Sequence, residues 1–163
     1  MNTLTAELLR QLLSYDSETG IFKWLMSAST KICIGSVTSA RVDAHGYSRI
    51  WLNGMSHKCH RLAWLYVYGE WPHNHIDHIN GVRHDNRIAN LRDVSHSVNL
   101  QNLQKARSDN SSGLLGVTKI PSGWVAQIWF NRKQHHLGVF KTPESAHAAY
   151  ITAKRQFHEG CTI

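Results

Sequence analysis

The chain is poor in cysteine and shows no pairing pattern among the cysteines it has: Cys33, Cys59 and Cys161 are an odd number without C-x-x-C spacing. A disulfide framework or a zinc ribbon needs paired thiols, so neither is expected, and three reduced thiols are. No apolar run approaches the roughly 20 residues that a membrane-crossing helix requires. The opening text, MNTLTAELLRQLL, lacks the basic flank and cleavage site of a leader. A soluble, cytoplasmic protein without a membrane partner is expected. Acidic residues are also scarce, 11 Asp and Glu against 18 Lys and Arg, which leaves +7 before any histidine is protonated. That balance points to a polyanionic partner. Internal repeats and low-complexity segments are missing as well.

At 163 residues and 42% apolar content, the sequence can bury a core for one compact domain or two small ones. Seven of its 12 histidines lie between His57 and His96, where metal, phosphate or proton-transfer chemistry becomes worth testing. Charge is uneven too. Met1 to Gln104 holds 10 basic and eight acidic residues, net +2, whereas Lys105 to Ile163 holds eight and three, net +5. The tail is therefore the stronger anchor for an acidic partner.

Leu4, Leu8, Leu12 and Tyr15, joined by Leu9 and Leu13, recur at helical spacing and predict a first helix ending near Tyr15. A polar turn, Asp16 to Gly20, leads into a strand, IFKWL, and Lys31 to Val42 reads as loop plus strand. Tyr47 to Leu52 alternates and meets Asn53-Gly54, the dipeptide suited to a type I′ hairpin, so Met55 to Cys59 should pair back. His60 to Gly69 reads as a helix ended by Trp71-Pro72. Next come a strand His75 to Ile79, a turn at Asn80-Gly81, a basic loop through Arg87, a strand Leu91 to Val94, and a helix capped by Ser95. Gln104 to Gly113 is polar and aperiodic, a linker. Beyond it, strands are expected at Leu115 to Ile120, Trp124 to Asn131 and His135 to Phe140. A helix follows, opened by Thr142-Pro143-Glu144 and striped by Ala146, Ala149, Tyr150, Ala153 and Phe157.

The densest chemistry lies in Asn74 to Asn99. Hydrolysing a phosphodiester needs an activated water, a cation against the developing charge, and a scaffold to hold both. Asp77 and His78 are adjacent near a strand end, and Asn99 follows on a helix. A carboxylate and an amide oxygen suit one hard cation that keeps some of its waters. An Asp-His pair taken alone reads more readily as two turn residues. His60 and His75 suit a leaving-group or phosphate role or a structural hydrogen bond. Arg83, His84 and Arg87 suit phosphate contacts or a solvated loop, and Asn86 a loop brace. A zinc site at Cys59 with His57 and His60 fails for want of a fourth ligand at convincing spacing.

Four segments, HRLAW (60–64), IDHING (76–81), DNRIANLR (85–92) and the asparagine of SVNLQN (Asn99), closely resemble the HNH nuclease family, in particular its phage and intron homing endonuclease branch. The resemblance implies a ββα-metal fold. It makes His78 the general base, Asp77 a metal ligand, Asn90 the asparagine whose side chain holds the loop between the strands, and Asn99 the second metal ligand where many members carry histidine. Amide and carboxylate oxygens favour Mg²⁺ or Mn²⁺. No structural zinc is expected, because the cysteine pairs of other branches are missing.

In the tail, alternation places Trp124, Ala126, Ile128 and Phe130 toward the helix, and Val125, Gln127, Trp129 and Asn131 away from it. The outward face, with Thr118, Lys119, Gln127, Trp129, Arg132, Lys133, Gln134 and His136, is the expected DNA contact. GLLGV (113–117), GWVAQI (123–128) and LGVFKTPESAHAAY (137–150) resemble the APETALA2 or ethylene-response-factor type of DNA-binding domain, whose sheet enters the major groove. The positions of that family's arginines fall on Leu115, Thr118 and Trp129, which implies fewer direct base contacts here.

These readings combine into an α+β protein. Its β-rich N-terminal part (1–56) leads into an HNH ββα-metal core (57–104). A linker (105–112) then joins a three-stranded antiparallel sheet packed on one helix (113–163). The expected activity is metal-dependent hydrolysis of duplex DNA, DNA-binding at Arg83, Arg87 and the tail face, by a monomer or weak dimer in the cytoplasm, the host's if phage-encoded. The alternative is a sequence-specific DNA-binding regulator with a degenerate nuclease core.

Overall fold

The computed structural model describes residues 4–26, 33–38 and 40–163. It is a mixed α+β structure of small antiparallel sheets and four α-helices, divided by its internal contacts into two units, Met1–Ser95 and His96–Ile163.

In the first unit, helix α1 (Ala6–Leu12) starts where the Thr5 hydroxyl accepts from the Leu8 amide. It stops three residues short of the expected Tyr15. Leu13–Asp16 forms strand β1 instead, paired with β2 (Ile21–Trp24) in the register Leu13↔Trp24 to Asp16↔Ile21. The leucine periodicity continues past Leu12, but cross-strand pairing keeps Leu13 in the core in either conformation and overrides it. Of the segment read as loop plus strand, Lys31, Ile32 and Ser39 lie outside the described residues, and the strand is the short β3 (Arg41–Val42). It pairs with β4 (Ser48–Leu52), and β4 pairs with β5 (Met55–Lys58). Asn53 and Gly54 both take positive φ, 49° and 74°, as a type I′ turn demands.

Helix α2 (Cys59–Tyr68) ends at Gly69, not at the Trp71-Pro72 pair. Gly69 adopts φ 82° and returns its amide to Leu65 O at 3.0 Å, closing the last turn before the proline is reached. Strands β6 (His75–His78) and β7 (Leu91–Val94) form a two-stranded sheet, with a short 3₁₀ turn, Ile88–Asn90, leading into β7. One core joins these parts. Leu9, Leu13, Phe22, Trp24, Ile50, Leu52, Leu62, Leu65, Ile76 and Leu91 bring both helices and all three small sheets together. The β6–β7 loop is braced from outside it: the Tyr15 hydroxyl donates to Asn86 O at 2.7 Å. Gly20, at φ 72°, lies so close to the Asn86–Arg87 backbone that a Cβ would collide with it.

The second unit opens with α3 (His96–Gln101), one residue after the expected cap. The contact division thus places α3 with the tail, upstream of the 105–112 segment. Strands β8 (Val117–Ile120), β9 (Gly123–Phe130) and β10 (Lys133–Phe140) form an antiparallel sheet in the order β10-β9-β8. Asn131 and Arg132, at φ 49° and 60°, make the β9–β10 turn. Strand β8 starts two residues later than expected because Gly116, at φ 71°, interrupts it, and a side chain there would overlap the Tyr150 ring. Helix α4 (Pro143–Phe157) has Thr142 as N-cap, proline in its first turn and Glu144 in the same turn. Ala146, Tyr150 and Ala153 face Val117, Ala126 and Ile128 of the sheet. Phe157, the last residue of the expected stripe, is 39% exposed and stacks on Phe130.

Candidate active site

The end of β6 carries two buried polar side chains, Asp77 at 5% exposure and His78 at 4%. Antiparallel register sets Asp77 opposite Arg92, and the Arg92 Nε and Nη2 atoms reach Asp77 Oδ2 at 2.9 and 2.8 Å. A buried carboxylate needs such a partner. The pair fixes the Asp77 rotamer next to His78.

Immediately after His78 the chain turns, with Gly81 N donating to His78 O at 2.8 Å. Asn90 closes the loop that follows. Its Oδ1 accepts from Asn80 N at 2.9 Å, its Nδ2 donates to Asp85 O at 2.9 Å, and its own carbonyl takes Ile79 N at 2.9 Å. One side chain therefore spans both ends of the turn. Within it, the Asp85 carboxylate accepts from Asn80 Nδ2 and from Arg87 Nε and Nη2. Chiefly the Arg87 bonds hold its carboxyl down to about 2.

Around His78 stand Tyr47 and Lys58, which the sequence did not bring forward, together with His60 and Arg83. Tyr47, just before β4, lies with its ring 5.9 Å from His78 and 5.1 Å from His60, and the two imidazoles meet edge to face at 5.0 Å. Lys58 Nζ and the Arg83 guanidinium both lie over the Tyr47 ring, at 4.3 and 5.2 Å. Burial lowers the His78 pKa, against hydrogen bonding from Asn86 and the charges of Asp77 and Asp85. The imidazole is thus neutral at physiological pH, the form that takes up a proton. Burial, helped by His78 and Lys58, pushes His60 down to about 3. Cys59, the zinc candidate rejected on spacing, is a buried thiol pushed up to about 12.

The buried neutral His60 has a consequence for stability. Its proton is refused until about pH 3 in the folded state but accepted near 6.5 in the unfolded chain. Between these values the unfolded state binds more protons, so stability falls as pH drops through that window. By pH 4.5 the loss from this group is about 2–3 kcal/mol. Urea melts at pH 7 and 4.5 should therefore show a smaller acid loss in His60→Gln than in the wild type, by roughly that amount.

Of the expected phosphate ligands in the loop, Arg87 is tied to Asp85, and Arg83 Nη1 donates to His45 O at 2.8 Å. Both guanidiniums are exposed but already serve the loop. His75 and His84 are exposed. A second set of cations was missed. Arg41↔Arg49 and Arg49↔Lys58 are cross-strand pairs, so three cations lie in one row across β3, β4 and β5. Trp51, two residues along β4 from Arg49 and on the same face, is 66% exposed. Nothing in the text pairs residues 41, 49 and 58; only strand register does.

In the second unit the register sorts the expected DNA-contacting residues. Gln127↔His136, Trp129↔Gln134 and Thr118↔Val125 place Thr118, Gln127, Trp129, Gln134 and His136 on the outer face, with Trp129 63% exposed. Lys119 pairs with Trp124 and lies over its ring at 5.6 Å, so it belongs to the opposite face. Lys133 likewise pairs with inward-facing Phe130, and Arg132 occupies the turn. Leu115, assigned to the outer face by the resemblance, packs on Ile128, Tyr150 and Ala153 instead. Asn99 sits half-buried on α3, in this unit.

Asp77 offers a carboxylate, a hard oxygen donor of the kind that Mg²⁺ takes together with water. Among the described residues, no group of three His, Cys, Asp or Glu side chains stands close enough to hold an ion by themselves.

Residues 57–101 match the HNH endonuclease family, a segment that runs from the end of β5 through α2 and the β6–β7 hairpin to α3. No curated protein matches the chain. A solved structure described as DNA binding and cleavage by the HNH homing endonuclease I-HmuI is similar at 24% identity and a TM-score of 0.43. The likeness covers 55% of this chain and 50% of that one, so the chain spans half the length of the protein it resembles.

Proposed function

We propose that the chain is a metal-dependent endonuclease that hydrolyses phosphodiester bonds in duplex DNA, of the homing type carried by phages and mobile elements. The observation that carries this reading is the buried Asp77–His78 pair at the end of β6, with its loop clasped by Asn90, inside the segment that matches the HNH endonuclease family.

His78 takes a proton from the attacking water at an imidazole nitrogen; its burial keeps it neutral for that task. Asp77 would hold one Mg²⁺ or Mn²⁺, with Asn99 as the second ligand that the family resemblance implies. Bound there, the ion supplies positive charge to the scissile phosphate and the departing oxygen. Arg92 keeps the Asp77 carboxylate oriented, and Asn90 keeps the strand end and its loop in register. The products are 3′-hydroxyl and 5′-phosphate ends.

The DNA lies on two faces. Arg41, Arg49 and Lys58 form a row of cations across the sheet that suits a polyanion, with Arg49 also paired to Asp43. Lys58 of that row and Arg83, both over the Tyr47 ring, make a cationic approach to His78. The outer face of the tail sheet, similar to APETALA2-type domains, contributes Thr118, Gln127, Trp129, Gln134 and His136, with Arg132 and Lys133 at its end. Phosphate contacts set the salt dependence of binding. Replacing Arg132 and Lys133 together by alanine should therefore reduce the slope of log K against log salt by about 2. An unchanged slope, measured by fluorescence anisotropy, would show that the tail does not hold the backbone there.

A further inference from the structure

Strand β9 has eight residues, but β8 pairs only with its first half, from Val117↔Ala126 to Ile120↔Gly123. The last bond on that edge is Gln127 N to Gly116 O at 2.9 Å. Beyond it, where a further strand residue would lie, there is a cavity of about 310 Å³ lined by Asn110, Gly116, Val117, Thr118, Gln127, Ile128, Trp129, Tyr150 and His158. Its far side is closed by His158, whose Nε2 meets Trp129 O at 2.8 Å.

The lining has two chemistries. Val117, Ile128 and Tyr150 are core residues and give an apolar floor. Gly116 lets the Tyr150 ring lie against the backbone, which keeps that floor flat. Thr118, Gln127 and Trp129 come from the outer face of the sheet, so the cavity opens beside the surface that carries the exposed indole. Polar groups stand at its rim. A carbonyl can only accept, so His158 Nε2 donates to Trp129 O and the ring is held at the far wall. Gln127 adds an amide that both donates and accepts, and Thr118 adds a hydroxyl. The Asn110 side chain already bonds Leu114 O and the Ser112 amide, so it serves as wall.

We infer that this cavity is a binding site for a single unstacked nucleobase of the DNA that lies on the tail sheet. A flat apolar floor, an indole free to stack, and a donor–acceptor rim match a planar heteroaromatic with a polar edge. The volume is at the lower end for small-molecule sites, which suits one base better than a larger ligand. The surrounding charge, net +5 from Lys105 to Ile163, suits a ligand attached to phosphates. The inference rests on the reading of this chain as a DNA-binding endonuclease. It adds that the tail captures an extrahelical base rather than reading a groove alone.

The test uses the full chain carrying His78→Ala, with chelator present, and two short duplexes that differ only in one extrahelical 2-aminopurine. Anisotropy should show the bulged duplex bound about tenfold more tightly than the paired one, with 2-aminopurine fluorescence quenched by stacking on the indole. Trp129→Ala should bring the ratio of the two affinities to about one, and Gln127→Ala should lower it in the same direction. Because Trp129 is largely exposed, its loss does not endanger the fold. Binding of the paired duplex with no preference for the bulge and no quenching overturns the base site and leaves the endonuclease reading standing. If neither duplex binds, both are overturned.

Discussion

If the proposed function holds, His78→Ala should lower the rate of DNA cleavage about a thousandfold while DNA affinity stays within roughly threefold of the wild type. The size follows from the work assigned to the side chain: a positioned general base contributes about 10²–10⁴ in rate, and nothing beside it substitutes readily. His60 meets His78 edge to face, but its pKa of about 3 and its packing against Tyr47 make it a poor replacement. Single-turnover kinetics separate the two effects, since a base contributes to the chemical step and not to ground-state binding. A variant that binds DNA tenfold more weakly and cleaves bound DNA normally would assign His78 to substrate contact instead.

Asn90→Ala is expected to lower stability by about 2–4 kcal/mol and to cut cleavage by at least about tenfold in protein that remains folded. The side chain is buried and joins Asn80 N to Asp85 O, so alanine removes both bonds and strands both backbone groups. The His78 carbonyl is anchored to the same turn through Gly81 N, so the loosened loop displaces the base rather than removing it. Asn90→Asp keeps an acceptor for Asn80 N but loses the donor to Asp85 O, and should fall between alanine and the wild type. Equilibrium urea unfolding and cleavage measured on the same preparations check this. A stable Asn90→Ala protein without activity would instead make Asn90 a participant in the chemistry, not a positioning residue.

Short-range signals carried much of this architecture. Asn53-Gly54 reads as a hairpin because two adjacent positive-φ positions are a local requirement. Thr142-Pro143-Glu144 reads as a helix start for the same kind of reason. Asp77-His78 could be placed at a strand end, and its loop partner at Asn90, from the spacing of the resembling text. What depended on register stayed hidden. Arg92 faces Asp77 across 15 residues of chain, and Arg41, Arg49 and Lys58 align only once three strands are paired. Lys119 was expected among the residues flanking the outer face, yet pairing with Trp124 turns it the other way. Leu115 shows the same limit, since Gly116 breaks the strand before alternation can be counted through it. Tyr47 had no sequence signal: a tyrosine before a strand is ordinary, and only the fold brings it to two buried histidines.

The fold also shows why this segment tolerates so many buried polar groups. Asp77, His78, Asn86 and Asn90 are all under 9% exposed, within a unit whose apolar core spans three sheets and two helices. Asp77 is held by Arg92 of the opposite strand, Asn86 donates to His84 O, and Asn90 joins Asn80 N to Asp85 O. The apolar core stabilises the unit, and the polar cluster fixes the geometry at its edge.

The most direct test is incubation of supercoiled plasmid carrying candidate sites with the purified chain and Mg²⁺, with and without chelator. Nicked or linear DNA bearing 5′-phosphate ends, lost on chelation and lost in His78→Ala, is the predicted result. Retarded plasmid without cleavage, or cleavage that persists unchanged in His78→Ala, would contradict it.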